Sequence, residues 1–171
     1  TEGIDFDIKY WVKVPFGFEN DGRLDVRLNG NRLLRFDNNS VAAIPQLMTS
    51  CEGHFGSACG VPLPKWRANG RVTYSTGPVT TSLGWTYWGK VTETSTSPSF
   101  VVKKIGGYSL FDWAVAYRFN DLLDVNLSVS NLFNKKPPLI GGNASGGQNN
   151  TYPTIYDVLG RQYYLSARFR F

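Results

Sequence analysis

Apolar and polar residues alternate one by one along long stretches of this chain, and a two-residue period sends the two kinds to opposite faces of a strand. The first stretch sets Ile4, Phe6, Ile8, Tyr10, Val12 and Val14 against Asp5, Asp7, Lys9 and Lys13, with only Trp11 out of pattern. The second sets Leu24, Val26, Leu28 and Gly30 against Arg23, Asp25, Arg27, Asn29 and Asn31, then runs less cleanly to Phe36. Further stretches start near Lys65, Val79, Phe111 and Leu123, and the seventh places Tyr163, Leu165, Ala167, Phe169 and Phe171 opposite Gln162, Tyr164, Ser166, Arg168 and Arg170. No stretch keeps a helical period, so the chain is expected to be all-β with about seven long strands.

Connection lengths alternate as well. Short turns at Phe16 to Asp21, Gly77-Pro78 and Asn120-Asp121 interleave with long loops at about 38–64, 93–107 and 134–159. Short connections on one side and long ones on the other are the pattern of outer-membrane barrels, with periplasmic turns and extracellular loops. Segments of about ten to thirteen residues at roughly 3.3 Å each, tilted about 40°, span on the order of 25–33 Å, enough to cross a hydrocarbon core. A soluble sandwich also alternates, but its strands are shorter, at about five or six residues. Here aromatics crowd toward strand ends as an interfacial girdle would, and the polar faces carry Arg and Asp in rows that suit a wet lumen. The expected fold is therefore a transmembrane antiparallel β-barrel. Seven strands cannot close one, because an open edge in lipid leaves backbone groups unsatisfied at several kcal/mol each; the remaining strands are expected before Thr1.

Composition agrees with this class. Of the residues, 15% are aromatic and only 18% charged, and the formal charge is +5. No run approaches the roughly 18 apolar residues that a spanning helix needs. The basic residues are spread along alternate strand positions instead of gathered in a patch, which argues against nucleic acid and toward lipopolysaccharide phosphates or anionic ligands. Thr1 to Asp5 shows neither a basic nor an apolar leader region, so a signal is expected to have been removed or the chain to be a piece of a longer one.

Cys51 and Cys59 lie in one segment rich in small and turn-forming residues. A short loop closed by a disulfide is the plain reading and implies an oxidising compartment. The alternative, a metal held by both thiolates and His54, has no fourth Cys or His in the chain to complete it. No nucleophile elbow, paired carboxylates or phosphate-binding loop is present, so no catalytic residue, metal or cofactor is expected. Asp5 and Asp7, beside Lys9, read as part of an electrostatic lumen row.

Several stretches resemble the C-terminal part of the β-barrel of TonB-dependent outer-membrane receptors of Gram-negative bacteria. They include Gly3-Ile4-Asp5-Phe6, Gly22-Arg23-Leu24, Pro64-Lys65-Trp66-Arg67 after the Cys51 to Cys59 segment, and Tyr74-Ser75-Thr76-Gly77-Pro78. The most specific feature is an order: Asn131-Leu132-Phe133-Asn134-Lys135, then Tyr152-Pro153 and Tyr156-Asp157-Val158-Leu159-Gly160-Arg161, then the terminal Phe171. The resemblance implies a barrel of about 22 strands with a plugged lumen, of which residues 1–171 would be the last seven, without the plug domain. It implies a receptor and transporter for a scarce solute such as an iron–siderophore, a vitamin or an oligosaccharide. TonB would be engaged through an N-terminal region and the C-terminus would lie in the periplasm. A passive porin or an autotransporter-type barrel is the alternative. Tyr163, Leu165, Phe169 and Phe171 resemble the terminal signal read by the barrel-assembly machinery, a form of strand addition in which alternate side chains fill pockets. Trp88, Tyr108, Asn149, Asn150 and Tyr152 are expected at the loops as possible solute contacts.

Overall fold

The computed structural model describes residues 1–39, 48–95, 100–141 and 150–171. Among these, thirteen strands follow in chain order: β1 (Glu2–Val14), β2 (Gly22–Arg35), β3 (Asp37–Asn39), β4 (Met48–Ser50), β5 (His54–Gly56), β6 (Gly60–Leu63), β7 (Trp66–Thr76), β8 (Val79–Trp88), β9 (Val91–Glu93), β10 (Lys104–Ile105), β11 (Tyr108–Arg118), β12 (Leu123–Ser130) and β13 (Gln162–Phe169). The only helical element described is a three-residue 3-10 turn, Phe18–Asn20.

The seven long strands form one antiparallel sheet in the order β1-β2-β7-β8-β11-β12-β13. These are the seven alternating stretches, and their register joins like to like. One row reads Tyr10, Val26, Val72, Leu83, Trp113, Val129, Tyr163; the next reads Val12, Leu24, Tyr74, Thr81, Val115, Leu127, Leu165. A slip of one residue in any strand would put charge into these rows, so the alternation itself fixes the register. The opposite face carries Lys9, Arg27, Arg71, Gly84 and Asp112 in a row. Nothing described packs over most of the apolar face, where Ile8, Tyr10, Leu83 and Leu165 are all exposed.

Thr81 and Ser109 interrupt the apolar face, and each has a partner there. Trp113 Nε1 donates to Thr81 Oγ1 at 3.0 Å, and Trp85 Nε1 donates to Ser109 Oγ at 3.2 Å. An indole brings large apolar area but also an N–H that needs an acceptor. Thr81 and Ser109 supply acceptors without water. On the polar face, Trp11, the residue that broke the first alternation, lies under Arg23, whose guanidinium is 4.9 Å from the ring centroid.

Aromatic rings gather at both ends of the strands. At the short-turn end Phe16 stacks on Tyr74 at 5.1 Å, the Tyr74 hydroxyl donates to Phe16 O at 2.7 Å, and Tyr117 meets Phe119 edge-on. At the long-loop end Trp85 stacks on Tyr87 and Phe111 meets Phe133.

The six short strands lie within the long connections, where no strand was expected. β10, β9, β5 and β6 form a four-stranded sheet, with β5 and β9 parallel, and β3 pairs with β4. Strands of two to four residues are too short to leave a period in the sequence.

Candidate functional site: the loop cap over the polar face

Seven buried hydrophobic residues form one cluster: Phe55, Val91, Ile105, Tyr108, Ile140, Tyr152 and Tyr156, with Trp88, Leu110 and Ile155 packed against it. Trp88, Tyr108 and Leu110 lie at the loop end of β8 and β11 and share the register of the polar face, since Leu110 precedes Asp112 by two residues and Tyr108 pairs with Trp88. The loops therefore fold onto the side of the sheet that carries the charges. Tyr108 meets Tyr156 edge-on at 5.1 Å, and Phe55 meets Tyr152 edge-on at 6.2 Å. Burial pushes the Tyr156 phenol up to about 12, with smaller contributions from the neighbouring Tyr152 and Tyr108.

The Cys51–Cys59 disulfide is formed, with Cα atoms 5.4 Å apart, and it consumes both thiolates that a metal would have needed. It closes the loop that carries β5, so the fully buried Phe55 is delivered to the cluster from a cross-linked turn. A link over so few residues contributes about 2–3 kcal/mol in the chain-entropy view. Gly56, at φ 119°, lets the backbone run against the buried Glu93; a Cβ there would collide with its carboxylate.

The third long connection is held by asparagines. Asn131 is 1% exposed and adopts φ 49°. Its side-chain Nδ2 donates to Lys135 O (2.9 Å) and Asp157 Oδ2 (2.7 Å), its Oδ1 accepts from Lys135 N (2.7 Å), and its own N–H donates to Asp112 Oδ1 (2.8 Å). Asn134, also at positive φ, accepts from Arg161 N at 3.3 Å. Asparagine tolerates the left-handed region better than other residues with a Cβ while offering both donor and acceptor. The Asn-Leu-Phe-Asn-Lys stretch and the Asp157 to Arg161 stretch thus clamp each other just before β13. Asp112, which also accepts from Ser130 Oγ at 3.0 Å, ties this clamp to the charged row.

Along that row Lys9 pairs with Asp7 at 2.7 Å, as expected for an electrostatic row. Arg71 donates to Ser82 at 3.3 Å, and among the described residues neither Arg27 nor Arg71 forms an ion pair. The face thus offers fixed positive charge beneath a folded cap, a surface suited to holding anions or an acidic protein surface.

Of the residues read as possible solute contacts, Tyr108 and Tyr152 lie inside the cluster, Trp88 is half-buried at its edge, and Asn150 is exposed at φ 56°. Asn149 lies outside the described residues. Tyr163, Leu165 and Phe169 sit on the apolar face of β13, and Phe171 follows it; all four are exposed. Nothing in the sequence marked Phe55, Val91, Ile105, Ile140 or Tyr156 for a core role, and the last stood out only as part of the Tyr156 to Arg161 motif. Phe55, Val91 and Ile105 are lone apolar residues between polar or glycine neighbours, Ile140 and Tyr156 each follow one other apolar residue, and the only signal was apolar character where a solvated loop needs none.

Residues 1–132 match the family model described as TonB dependent receptor-like, beta-barrel. Among solved structures, the chain is similar to a mutant of the ferric enterobactin receptor from Pseudomonas aeruginosa, at 15% identity and a TM-score of 0.60, over 99% of this chain and 22% of that one. The chain thus spans about a fifth of that receptor's length, and at this identity the likeness is one of fold. No curated protein matches the sequence.

Proposed function

Because the chain belongs to the TonB-dependent receptor β-barrel family, we propose that it forms the C-terminal wall of an outer-membrane receptor that takes up a scarce solute with energy from TonB. The single observation that carries this reading is the sheet's two-sidedness. Seven strands in register present an apolar face on one side and a charged face on the other, with the buried core of the folded loops on the charged side and most of the apolar face left without a protein layer. An apolar face without a protein layer suits lipid; a charged face suits a wet lumen.

In this reading residues 1–171 belong to the C-terminal part of the barrel, the loops at about 38–64, 93–107 and 134–159 are extracellular, and the short turns and Phe171 are periplasmic. β13 serves twice. It is recognised by the barrel-assembly machinery through Tyr163, Leu165, Phe169 and Phe171, and afterwards it pairs with a strand from earlier in the receptor. TonB is engaged through a region N-terminal to the barrel. The chain carries no bond chemistry; its contribution is shape and charge. Iron–siderophore, vitamin and oligosaccharide remain the candidate solute classes. Trp88 and Asn150 offer the loop surface for contact, with Tyr108 and Tyr152 holding it from beneath.

Two measurements test the proposal. Val101→Cys, in the second long loop, should react with a membrane-impermeant maleimide in intact cells, whereas Asn120→Cys, in a short turn, should react only after the membrane is opened. The reverse pattern rejects the topology. Deletion of the gene should abolish growth on at least one ferric siderophore, vitamin or oligosaccharide offered as sole source, and loss of TonB should reproduce the defect. Uptake that persists without TonB would identify a passive pore instead.

A further inference from the structure

The apolar face ends, on the long-loop side, in a cationic groove that the proposed transport path does not use. Arg32 pairs in register with Ile4 on one side and Trp66 on the other, so it continues the column of Leu24, Val26 and Leu28 on the apolar face. With Lys65 and Lys90 it lines a groove of about 520 Å³ whose floor includes Trp66 and Tyr87. The Arg32 guanidinium stands 5.2 Å from the Trp66 ring centroid. The Lys65 stem lies along Gly53, where an added Cβ would come within 3.1 Å of its Cε. Glu52 is the one carboxylate in the lining, against three cations.

Four other cations near strand ends have carboxylate partners: Arg23 with Asp25, Arg35 with Asp37, and Arg118 and Arg170 with Asp124. Among the described residues Arg32, Lys65 and Lys90 form no ion pair. Three unneutralised cations beside two aromatic rings, at the margin of an apolar belt, match a headgroup that is anionic above and acylated below. A cation near a membrane surface gains roughly a fivefold preference for anionic lipid, and a polar rim above apolar wall lets both ends of the lipid be satisfied at once. The transported solute is a poor fit, because the loop core and the charged row lie on the other side of the sheet.

We propose that Arg32, Lys65 and Lys90 bind the phosphorylated sugar headgroup of an outer-leaflet glycolipid, lipid A, with Trp66 and Tyr87 against its sugar and the apolar column below against its acyl chains. The assignment rests on the membrane reading above and gives the lipid partner a place. The test uses the full receptor purified in detergent, with retained lipid A measured by native mass spectrometry, so that it does not depend on the solute or on uptake. Arg32→Gln/Lys65→Gln/Lys90→Gln should weaken binding of bisphosphorylated lipid A about a hundredfold, at roughly fivefold per cation. The polar-face control Lys9→Gln/Arg27→Gln/Arg71→Gln should leave it unchanged. Lipid A stripped of its phosphates should bind the unaltered receptor as weakly as the triple variant binds the phosphorylated form, and inorganic pyrophosphate should not compete. Unchanged binding in the triple variant overturns the site, and equal binding of the stripped lipid overturns the phosphate assignment. Competition by pyrophosphate reassigns the groove to free phosphates. Should the triple variant not fold, Glu52→Gln decides: it removes the one opposing charge and should tighten binding several-fold, and no tightening counts against the site.

Discussion

The strand wall and the loop cap are built from the same chain by different means. In the wall, order comes from alternation and register, and the large side chains of the apolar face stay exposed or half-buried, with Val129 the exception: Leu165 keeps 76% of its accessible surface and Tyr10 keeps 63%. In the cap, the sequence shows no period, yet Phe55, Val91, Ile140 and Tyr156 are 2% exposed or less. The cap is folded as a small soluble protein is, by burying apolar area against itself with a disulfide as a staple. The wall instead has backbone hydrogen bonds and an apolar surface whose complement lies outside the chain. A β-sheet without a second protein layer over its apolar face is stable only when something else covers that face.

The largest break in this comparison should come from the cap. Tyr156→Ala removes the ring at the centre of the cluster and should cost about 3–5 kcal/mol locally, the range for large aromatic deletions. Hydrogen exchange should rise at β5, β9 and β10, while the heat-dependent gel shift of the folded barrel stays as it was. Loss of that shift would show that the wall depends on the cap. The converse change is Leu83→Arg, in the middle row of the apolar face. Buried in lipid it should cost about 2–4 kcal/mol, read as a shifted denaturant midpoint for folding into bilayers, with cap exchange unaltered. In detergent-free buffer the same substitution should improve solubility, because there the face is only a liability.

Alkaline pH should separate the two regions in the same sense. The Tyr156 phenol is raised by burial to about 12, from 10 when unfolded. Below pH 10 both states are protonated and the shift has no effect. Between 10 and 12 the unfolded cap loses its proton first, so cap stability falls as pH rises, by at most about 3 kcal/mol. Tyrosinate absorbance should develop together with faster exchange in the cap. Absorbance that develops near pH 10 without any opening would mean the ring is already in contact with water.

How much of this was legible before the fold was known follows from the same contrast. Seven long strands, their faces and their order were readable because a two-residue period over eight or more positions has few alternative explanations. Cys51 and Cys59 were readable from proximity alone. The cap was not: a lone Val91 or a Leu139-Ile140 pair carries no period, and the left-handed Asn131 and Asn134 show only as a motif until Asp112, Lys135 and Asp157 are seen around them. Aromatic residues in loops suggested solute contact, and for Tyr108 and Tyr152 the fold gives the rings an interior. Such residues can be told apart only by what lies opposite them, which is a tertiary fact.

The smallest expected effect is the most specific to the wall. Thr81 stands in an apolar row, accepts from Trp113 Nε1 at 3.0 Å and donates to Ala114 O at 3.1 Å. Thr81→Val keeps the shape and removes both bonds. If lipid covers this face, no water can replace them, and the loss should be about 1 kcal/mol, in the range measured for side-chain hydrogen bonds inside membranes. Thr81→Ser should recover most of it. If Thr81→Val folds into bilayers with an unchanged midpoint while Trp113 fluorescence shifts toward that of a hydrated indole, water reaches the row, and the face read as lipid-covered is wet.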